Sequence, residues 1–172
     1  MLQLTIRRNG KTENYYGMND VMLSQGVMTR LLNIVMSVDD QHATHYRADG
    51  IVVSTPVGST AYSLSLGGPI LTQGLRAFVI TPIAPHVLTN RPIVIEGSSE
   101  ATFVVSGKAG EIALDIDGQE RIDIEIGESF SIQAAPNDFM LISNNKRNYY
   151  DILREKLGWG EQPQLKSYNT NE

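Results

Sequence analysis

The sequence contains no cysteine, and this absence excludes disulfide bonds and thiolate metal sites. It also has no uninterrupted apolar run that approaches the ~20 residues of a membrane-spanning helix, and its first residues show no signal-peptide pattern. We therefore expect a cytoplasmic protein that has no membrane partner.

Positive charge is scarce as well. Only 14 lysines and arginines stand against 19 aspartates and glutamates, the net charge is −5, and the basic residues are scattered along the chain. This argues against generic binding to a nucleic-acid backbone, so we expect no nucleic-acid partner. The 172 residues, 41% of them hydrophobic, suffice for one domain that buries roughly 70% of the surface of its unfolded chain.

Short segments that alternate between apolar and polar residues fill most of the chain and predict a mainly β fold, a multi-stranded β-sandwich. One short internal helix and one C-terminal helix over residues 149–159 complete this domain, residues 1–160, and the polar residues 161–172 are expected to form a disordered tail. Glycine turns are expected at Gly97, Gly107, Gly110, Gly118 and Gly127. The predicted strands are residues 2–6, 12–23, 30–39, 42–48, 51–53, 77–80, 92–95, 101–106, 112–116, 121–126, 130–134 and 139–142.

Residues 49–70 are the most informative stretch. A buried strand over residues 51–53 is broken by Pro56 and Gly58, and Ser59 or Thr60 is placed to cap a helix that runs to Leu66. Such a turn is expected to aim backbone N–H groups and hydroxyls outward, which suits phosphate, ribose or amide groups. The stretch is neither a phosphate-binding loop of the Walker type, which needs a lysine, nor a nucleophile elbow. From this pattern alone, an ordinary turn remains the better interpretation.

The same stretch, DGIVVSTPVGSTAYSLSLGGPI, resembles the second signature of the NAD kinase family. Four further segments resemble that family in the same order: Asn19-Asp20, TPIAPHVLTNRPIVI, Asp117-Gly118-Gln119 and YYDILREKLGW. All of them belong to the family's second half, its β-rich NAD-binding domain. Two positions depart from the family pattern, because Asp20 replaces the usual glutamate and Val57 the usual threonine.

The resemblance implies an enzyme that phosphorylates the adenosine 2′-hydroxyl of NAD to give NADP, with ATP or polyphosphate as donor and Mg²⁺ as cofactor. It also implies a homodimer or homotetramer. The family's first half carries a GGDG loop whose aspartate is the catalytic base, and these residues contain no GGDG. We therefore expect this chain alone to bind NAD or NADP without catalysis, with no catalytic residue and no metal ligand of its own.

The family motifs also imply the contact residues. Asn19 offers a donor and an acceptor for a base or carboxamide, and Asp20 can accept from ribose hydroxyls, although both also suit a solvated sheet edge. Asp49 precedes a buried strand and is expected to need a partner, either the ligand or Arg47. His86 is interpreted as structural or substrate-lining rather than catalytic. The implied NAD-binding residues are Asn19, Asp20, Arg30, Arg47, Asp49, Thr60, Ala61, Tyr62, Ser63, Leu64, Ser65, Ala84, His86 and Gln119.

Two alternatives stay open at this point. A stand-alone module that senses NAD or NADP would share the binding residues and lack the chemistry. A lipid kinase of the diacylglycerol or sphingosine type would share the architecture, but such proteins lack the STP-x-GSTAYS string present here.

Overall fold

The computed structural model describes residues 1–26, 31–87, 89–106, 111–142 and 147–160. Two compact units divide the chain, Met1–Phe139 and Met140–Glu172. The first unit contains twelve strands in the described residues: β1 Leu2–Arg8, β2 Lys11–Gly17, β3 Asp20–Gln25, β4 Leu32–Val38, β5 Gln41–Ala48, β6 Gly50–Ser54, β7 Ala77–Ile83, β8 Ile93–Glu96, β9 Ala101–Ser106, β10 Ile112–Ile116, β11 Glu120–Ile124 and β12 Ser129–Ala134. Between β6 and β7 lie a 3₁₀ turn, Gly58–Thr60, and the short helix α1, Tyr62–Ser65.

The strands form two antiparallel six-stranded sheets, which confirms the predicted mainly β sandwich. The first sheet has the order β2-β1-β12-β9-β4-β5, and the second has the order β11-β10-β3-β6-β7-β8. Alternate residues of both sheets meet in one hydrophobic core, as the period of a strand requires. Leu2, Leu4 and Ile6 contribute from the first sheet, and Val21 and Leu23 contribute from the second.

The predicted single strand over residues 12–23 is wrong, because the chain changes sheets there. β2 ends at Gly17 in the first sheet, and β3 begins at Asp20 in the second. A Cβ on Gly17 would lie 3.1 Å from Cγ2 of Ile116 and 3.2 Å from Cδ1 of Leu2, so a glycine lets the chain cross between the two sheets. Residues 18 and 19 therefore lie outside both sheets.

The predicted strand over residues 139–142 is also wrong. These residues are irregular, and their apolar side chains are largely exposed, from 53% at Phe139 to fully exposed Ile142. An apolar run predicts a strand only where a neighbouring strand or core is present to cover it. β7, by contrast, is longer than predicted and continues through Pro82 to Ile83.

Three hairpin turns have the same unusual backbone geometry, and the first of them, Asn9-Gly10 between β1 and β2, has φ values of 52° and 72°. Asp39 and Asp40 join β4 to β5 with φ values of 49° and 61°. Asp117 and Gly118 follow β10 with φ values of 51° and 65°. Positive φ at two successive residues is the geometry of tight hairpins, and Asp, Asn and Gly tolerate it best.

The second unit contains the C-terminal helix α2, Tyr149–Leu157, close to its predicted bounds. Asn148 and Asp151 form a capping box at its start, and Gly158, with a φ of 61°, ends it. No helix among the described residues is both long and apolar enough to cross a membrane. The expected turns at Gly107 and Gly110 and the expected tail over residues 161–172 lie outside the described residues.

Candidate functional site

The candidate site lies on the outer face of the second sheet. In β3, Val21 and Leu23 point into the core, so Asp20 and Met22 point to the opposite face. Asp115 of β10 pairs with Met22 and lies on this same outer face. The helix α1 packs against the neighbouring strand β6, and the 3₁₀ turn contacts α1. This arrangement forms a cleft between α1 and the outer faces of β3 and β10.

The segment before α1 differs from the predicted capped helix. It is a 3₁₀ turn followed by one α-helical turn, and no side chain caps either of them. Instead the Ser59 hydroxyl donates to the carbonyl of Pro56 at 2.7 Å, and the Thr60 hydroxyl donates to the carbonyl of Val57 at 3.1 Å. Ser59 is fully buried and also accepts a bond from the N–H of Leu71. The prediction that these hydroxyls face outward is wrong, because local carbonyls compete for them.

Ser63 fastens α1 to the sheet. Its hydroxyl lies 2.9 Å from the hydroxyl of Thr81 in β7, and both side chains are fully buried. A Cβ on Gly68 would collide with the Ser63 side chain, so the glycine that follows α1 permits this close packing. The side chain of Ser63, one of the implied NAD-binding residues, is thus used inside the fold.

The cleft has a volume of about 390 Å³ and is open to solvent. Four of the implied binding residues meet in it, namely Asn19 and Asp20 on one wall and Ala61 and Tyr62 on the other. The ring of Tyr62 is 44% exposed, which leaves it free to stack on a ligand. The full set of lining residues is Asn19, Asp20, Met22, Ala61, Tyr62, Asp115, Asp117 and Gly118.

Asp117 anchors the first wall. Its Oδ2 accepts a hydrogen bond from the N–H of Met18 at 2.7 Å, and its Oδ1 accepts from the N–H groups of Asn19 at 2.7 Å and Asp20 at 3.0 Å. Its own N–H donates to the carbonyl of Asp20 at 3.0 Å. These bonds replace the ladder bonds that residues 18 and 19 lack where the chain changes sheets.

Thr55 holds the same segment from the other side. Its hydroxyl donates to the carbonyl of Met18 at 2.7 Å, and its N–H donates to the carbonyl of Asn19 at 2.9 Å. A Cβ on Gly58 would collide with that Asn19 carbonyl, so only glycine allows the turn to approach so closely. The signature thus contributes to the site mainly by supporting residues 18–20.

Asp20 is the electrostatically unusual group of the cleft. Burial raises the pKa of its carboxyl from the ordinary value of 3.8 to about 6, and the negative charge of Asp117 adds to the rise. Its side chain is only 8% exposed, and no donor among the described residues binds it. A buried carboxylate without a partner is ready to accept hydrogen bonds from a ligand.

Four other implied residues lie at the opposite end of β6. Asp20 pairs with Ser54 at one end of the strand, whereas the N–H of Asp49 donates to the carbonyl of Ile83 just beyond the other end. A strand of this length separates the two ends by roughly 15–20 Å. The second group consists of Arg47, Asp49, Ala84 and His86.

The members of this second group are exposed. The N–H of His86 donates to the carbonyl of Arg47 at 2.8 Å, and Ala84 has a φ of 42°. The expectation that the Asp49 carboxylate needs a partner is wrong, because Asp49 is exposed, and no ion pair joins it to Arg47 in the described part of the chain. The structure therefore brings this group together, but not in the cleft.

The remaining implied residues surround α1 or lie apart from the cleft. Thr60, Leu64 and Ser65 belong to the turn and α1 without lining the cleft, and Gln119 is exposed on the turn after Gly118. Arg30 lies outside the described residues.

Sequence reasoning missed four lining residues, Met22, Asp115, Asp117 and Gly118. Alternation along β3 and β10 was the available signal, since it places Met22 beside Asp20 and gives Asp115 the face opposite to Leu114. Asp117 was recognised only as the shaper of a turn, because hydrogen bonds across nearly one hundred positions have no local sequence signature.

Comparisons with known proteins identify the family of this chain. The model of the ATP-NAD kinase C-terminal domain matches residues 18–144, which contain the whole cleft. The chain belongs to this family. This chain is 40% identical over 162 residues to the NAD kinase of Geobacter sulfurreducens, covering 94% of this chain and 57% of that protein. It is 42% identical over 158 residues to the NAD kinase of Carboxydothermus hydrogenoformans, covering 91% of this chain and 56% of that protein.

Solved structures share the fold. Yeast NADH kinase complexed with NADH superposes with a TM-score of 0.86 at 25% identity, covering 95% of this chain and 51% of that one. An NAD kinase from Archaeoglobus fulgidus in complex with ATP has a TM-score of 0.64 at 20% identity, covering 78% of this chain and 51% of that one. This chain therefore spans somewhat more than half the length of the curated relatives it matches.

Proposed function

We propose that this chain is the NAD-binding half of an NAD kinase, an enzyme that transfers a phosphoryl group to the adenosine 2′-hydroxyl of NAD. One observation carries the proposal: the fold brings Asn19 and Asp20 opposite Ala61 and Tyr62 in a single open cleft. These residues come from two motifs separated by about forty positions, and both motifs are those of the NAD kinase family. The names of the relatives and the NADH complex of the yeast enzyme support the same assignment.

Each wall of the cleft has a chemistry that suits one part of a dinucleotide. The Asn19 amide can donate to and accept from a base edge or carboxamide. The Asp20 carboxylate, which has no partner among the described residues, can accept from ribose hydroxyls. The exposed ring of Tyr62 offers a face on which a base can stack.

We infer that these residues alone bind the nucleotide without transferring phosphate. Phosphoryl transfer relies on positioning and on a metal-bound donor. No group of three or more His, Asp or Glu residues in the described part of the chain is arranged to hold a metal ion, and both Asp117 oxygens already accept backbone bonds. The sequence contains no GGDG loop, and we propose that the Mg²⁺ that accompanies ATP or polyphosphate is held outside these residues.

The second group, Arg47, Asp49, Ala84 and His86, suggests a homo-oligomer. It lies roughly 15–20 Å from Asp20 along β6 and does not line the cleft of its own chain. In a homodimer or homotetramer, this group of one subunit can reach the cleft of its neighbour. Val87, next to this group and 44% exposed, would lie in the contact. Leu88, which follows Val87 in the sequence and was expected to share this contact, lies outside the described residues.

Calorimetric titration with NAD tests the proposal. Tyr62→Ala should weaken NAD binding by about tenfold or more, the range expected for loss of base stacking, with little effect on stability because the ring is exposed. Tyr16→Ala is the matched control, since Tyr16 is 51% exposed on the edge strand β2 and should leave affinity unchanged. Absence of NAD binding, or equal affinity of both variants, would overturn the proposal.

A further inference from the structure

We propose that Asp117 is a positioning residue of the nucleotide site, which fixes the backbone of residues 18–20 so that Asn19 and Asp20 face the ligand. The inference rests on the proposed function, because it assigns a role within the same cleft. Asp117 is not among the residues that the family motifs imply as contacts. Its role follows from the hydrogen bonds of its carboxylate.

The carboxylate binds three consecutive backbone N–H groups, those of Met18, Asn19 and Asp20, at 2.7, 2.7 and 3.0 Å. Hydrogen bonds to an ionised acceptor are about twice as strong as neutral ones. Three of them in succession leave residues 18–20 little freedom to rotate. The two side chains that face the cleft are therefore oriented by one residue that lies beside them.

Thr55 completes the restraint from the opposite side. Asp117 binds the N–H groups of the segment, and Thr55 binds the carbonyls of Met18 and Asn19. Each of the three peptide units is thus held by at least one bond to a residue remote in sequence. Such double anchoring is what a binding site needs to keep its contact residues in one conformation before the ligand arrives.

The chain provides an internal comparison at another tight hairpin, the turn between β4 and β5. Asp39 has a φ of 49°, its N–H donates to the carbonyl of Glu100 at 3.0 Å, and its Oδ1 accepts from the N–H of Glu100 at 2.9 Å. Asp117 makes the same reciprocal pair of bonds with Asp20, with the same 3.0 Å distance from N–H to carbonyl. In both places, one reciprocal pair of hydrogen bonds joins the aspartate of a hairpin turn to the residue at or just before the start of another strand.

Asp117 adds two bonds that Asp39 does not make, those to the N–H groups of Met18 and Asn19. Neither residue belongs to a strand, and both are only half-buried. The two added bonds hold residues 18 and 19, where one wall of the cleft begins.

The test compares Asp117→Asn with Asp39→Asn. Both substitutions keep one acceptor oxygen and remove one charge from a hairpin turn with the same geometry. Melting temperature and NAD affinity are measured for each, with amide hydrogen exchange at residues 18–20. Asp117→Asn should lose more stability than Asp39→Asn, because the Asp117 carboxylate accepts three backbone bonds and that of Asp39 accepts one. Only Asp117→Asn should weaken NAD binding, by about tenfold, and speed exchange at residues 18–20.

A double-mutant cycle then separates positioning from direct contact. In an Asn19→Ala, Asp20→Ala background, Asp117→Asn should change NAD affinity less than about twofold, because the side chains that it positions are gone. Titration with a high concentration of NAD keeps residual binding measurable. If the losses simply add, Asp117 touches the ligand itself and the positioning role is overturned.

The remaining outcomes are distinct. If the unsubstituted chain binds no NAD, the proposed function fails and this inference falls with it. If it binds NAD and Asp117→Asn loses no more affinity than Asp39→Asn, the inference alone is overturned.

If Asp117→Asn does not fold, Thr55→Val replaces it, since Thr55→Val removes the hydroxyl that donates to the Met18 carbonyl. A selective loss of NAD affinity of about threefold or more then supports the inference, and an unchanged affinity overturns it.

Discussion

The substitution Asp20→Asn should stabilise the protein at neutral pH while weakening its binding of NAD. The Asp20 carboxyl is 8% exposed, has no donor among the described residues, and has a pKa of about 6 in the folded state instead of 3.8. Burial is the main cause, and the charge of Asp117 adds to it. A carboxylate with a raised pKa destabilises the folded state whenever it is ionised.

The sign of the pH dependence follows from the two pKa values. Below pH 3.8 the group is protonated in both states and contributes nothing. As the pH rises from 3.8 to about 6 the unfolded chain ionises first, so the free energy of unfolding falls, and above about pH 6 the loss is complete. A pKa difference of about two corresponds to roughly 3 kcal/mol, and solvent in the open cleft screens part of it, so we expect roughly 1–3 kcal/mol.

Urea unfolding of both proteins at pH 4 and pH 8 measures this effect. Asp20→Asn should match the unsubstituted protein within about 0.5 kcal/mol at pH 4 and exceed it by roughly 1–3 kcal/mol at pH 8. Asp49→Asn is the matched control, an exposed aspartate just beyond the other end of β6, and should change stability by less than about 0.5 kcal/mol at both values. A stability gain that is equal at both pH values, or a loss at pH 8, would refute the reasoning.

Two further predictions concern the packing of the site and its assembly. Gly58→Ala should cost roughly 1–3 kcal/mol of stability, because its Cβ would collide with the carbonyl of Asn19, whereas Gly74→Ala, where a Cβ meets nothing within 4 Å, should be nearly neutral in thermal unfolding. Equal effects of the two would disprove the close approach. Sedimentation velocity at micromolar concentration should show a dimer or tetramer that Val87→Asp dissociates; a variant that stays assembled and binds NAD as before would place the interface elsewhere.

The sequence predicted the strands well because their alternation is local. Leu2, Leu4 and Ile6 face the core as their spacing requires, and the predicted bounds of β9 and β10 agree with the structure. The switch between sheets at Gly17 was not predictable in the same way. Its cause is the crowding of Gly17 by Leu2 and Ile116, which are distant in sequence.

The candidate site was predictable only in part for the same reason. The family resemblance implied Asn19, Asp20 and Tyr62, and the structure brings them into one cleft. It did not reveal that Ser59 and Ser63 use their hydroxyls inside the fold, because partners such as Leu71 and Thr81 lie twelve or more positions away. A motif identifies which residues matter, whereas the role of each residue depends on its contacts.

The measurement that tests the central claim most directly is a titration of the ¹⁵N-labelled chain with NAD, followed by NMR. The account predicts that amide signals of Asn19, Asp20, Tyr62 and Gly118 shift together and saturate at one NAD concentration, because these residues surround one cleft. In the assembled protein, the signals of Arg47, Asp49 and His86 should shift at that same concentration. Signals that do not move at any NAD concentration, or that move only outside the cleft, would contradict the claim that this cleft binds NAD.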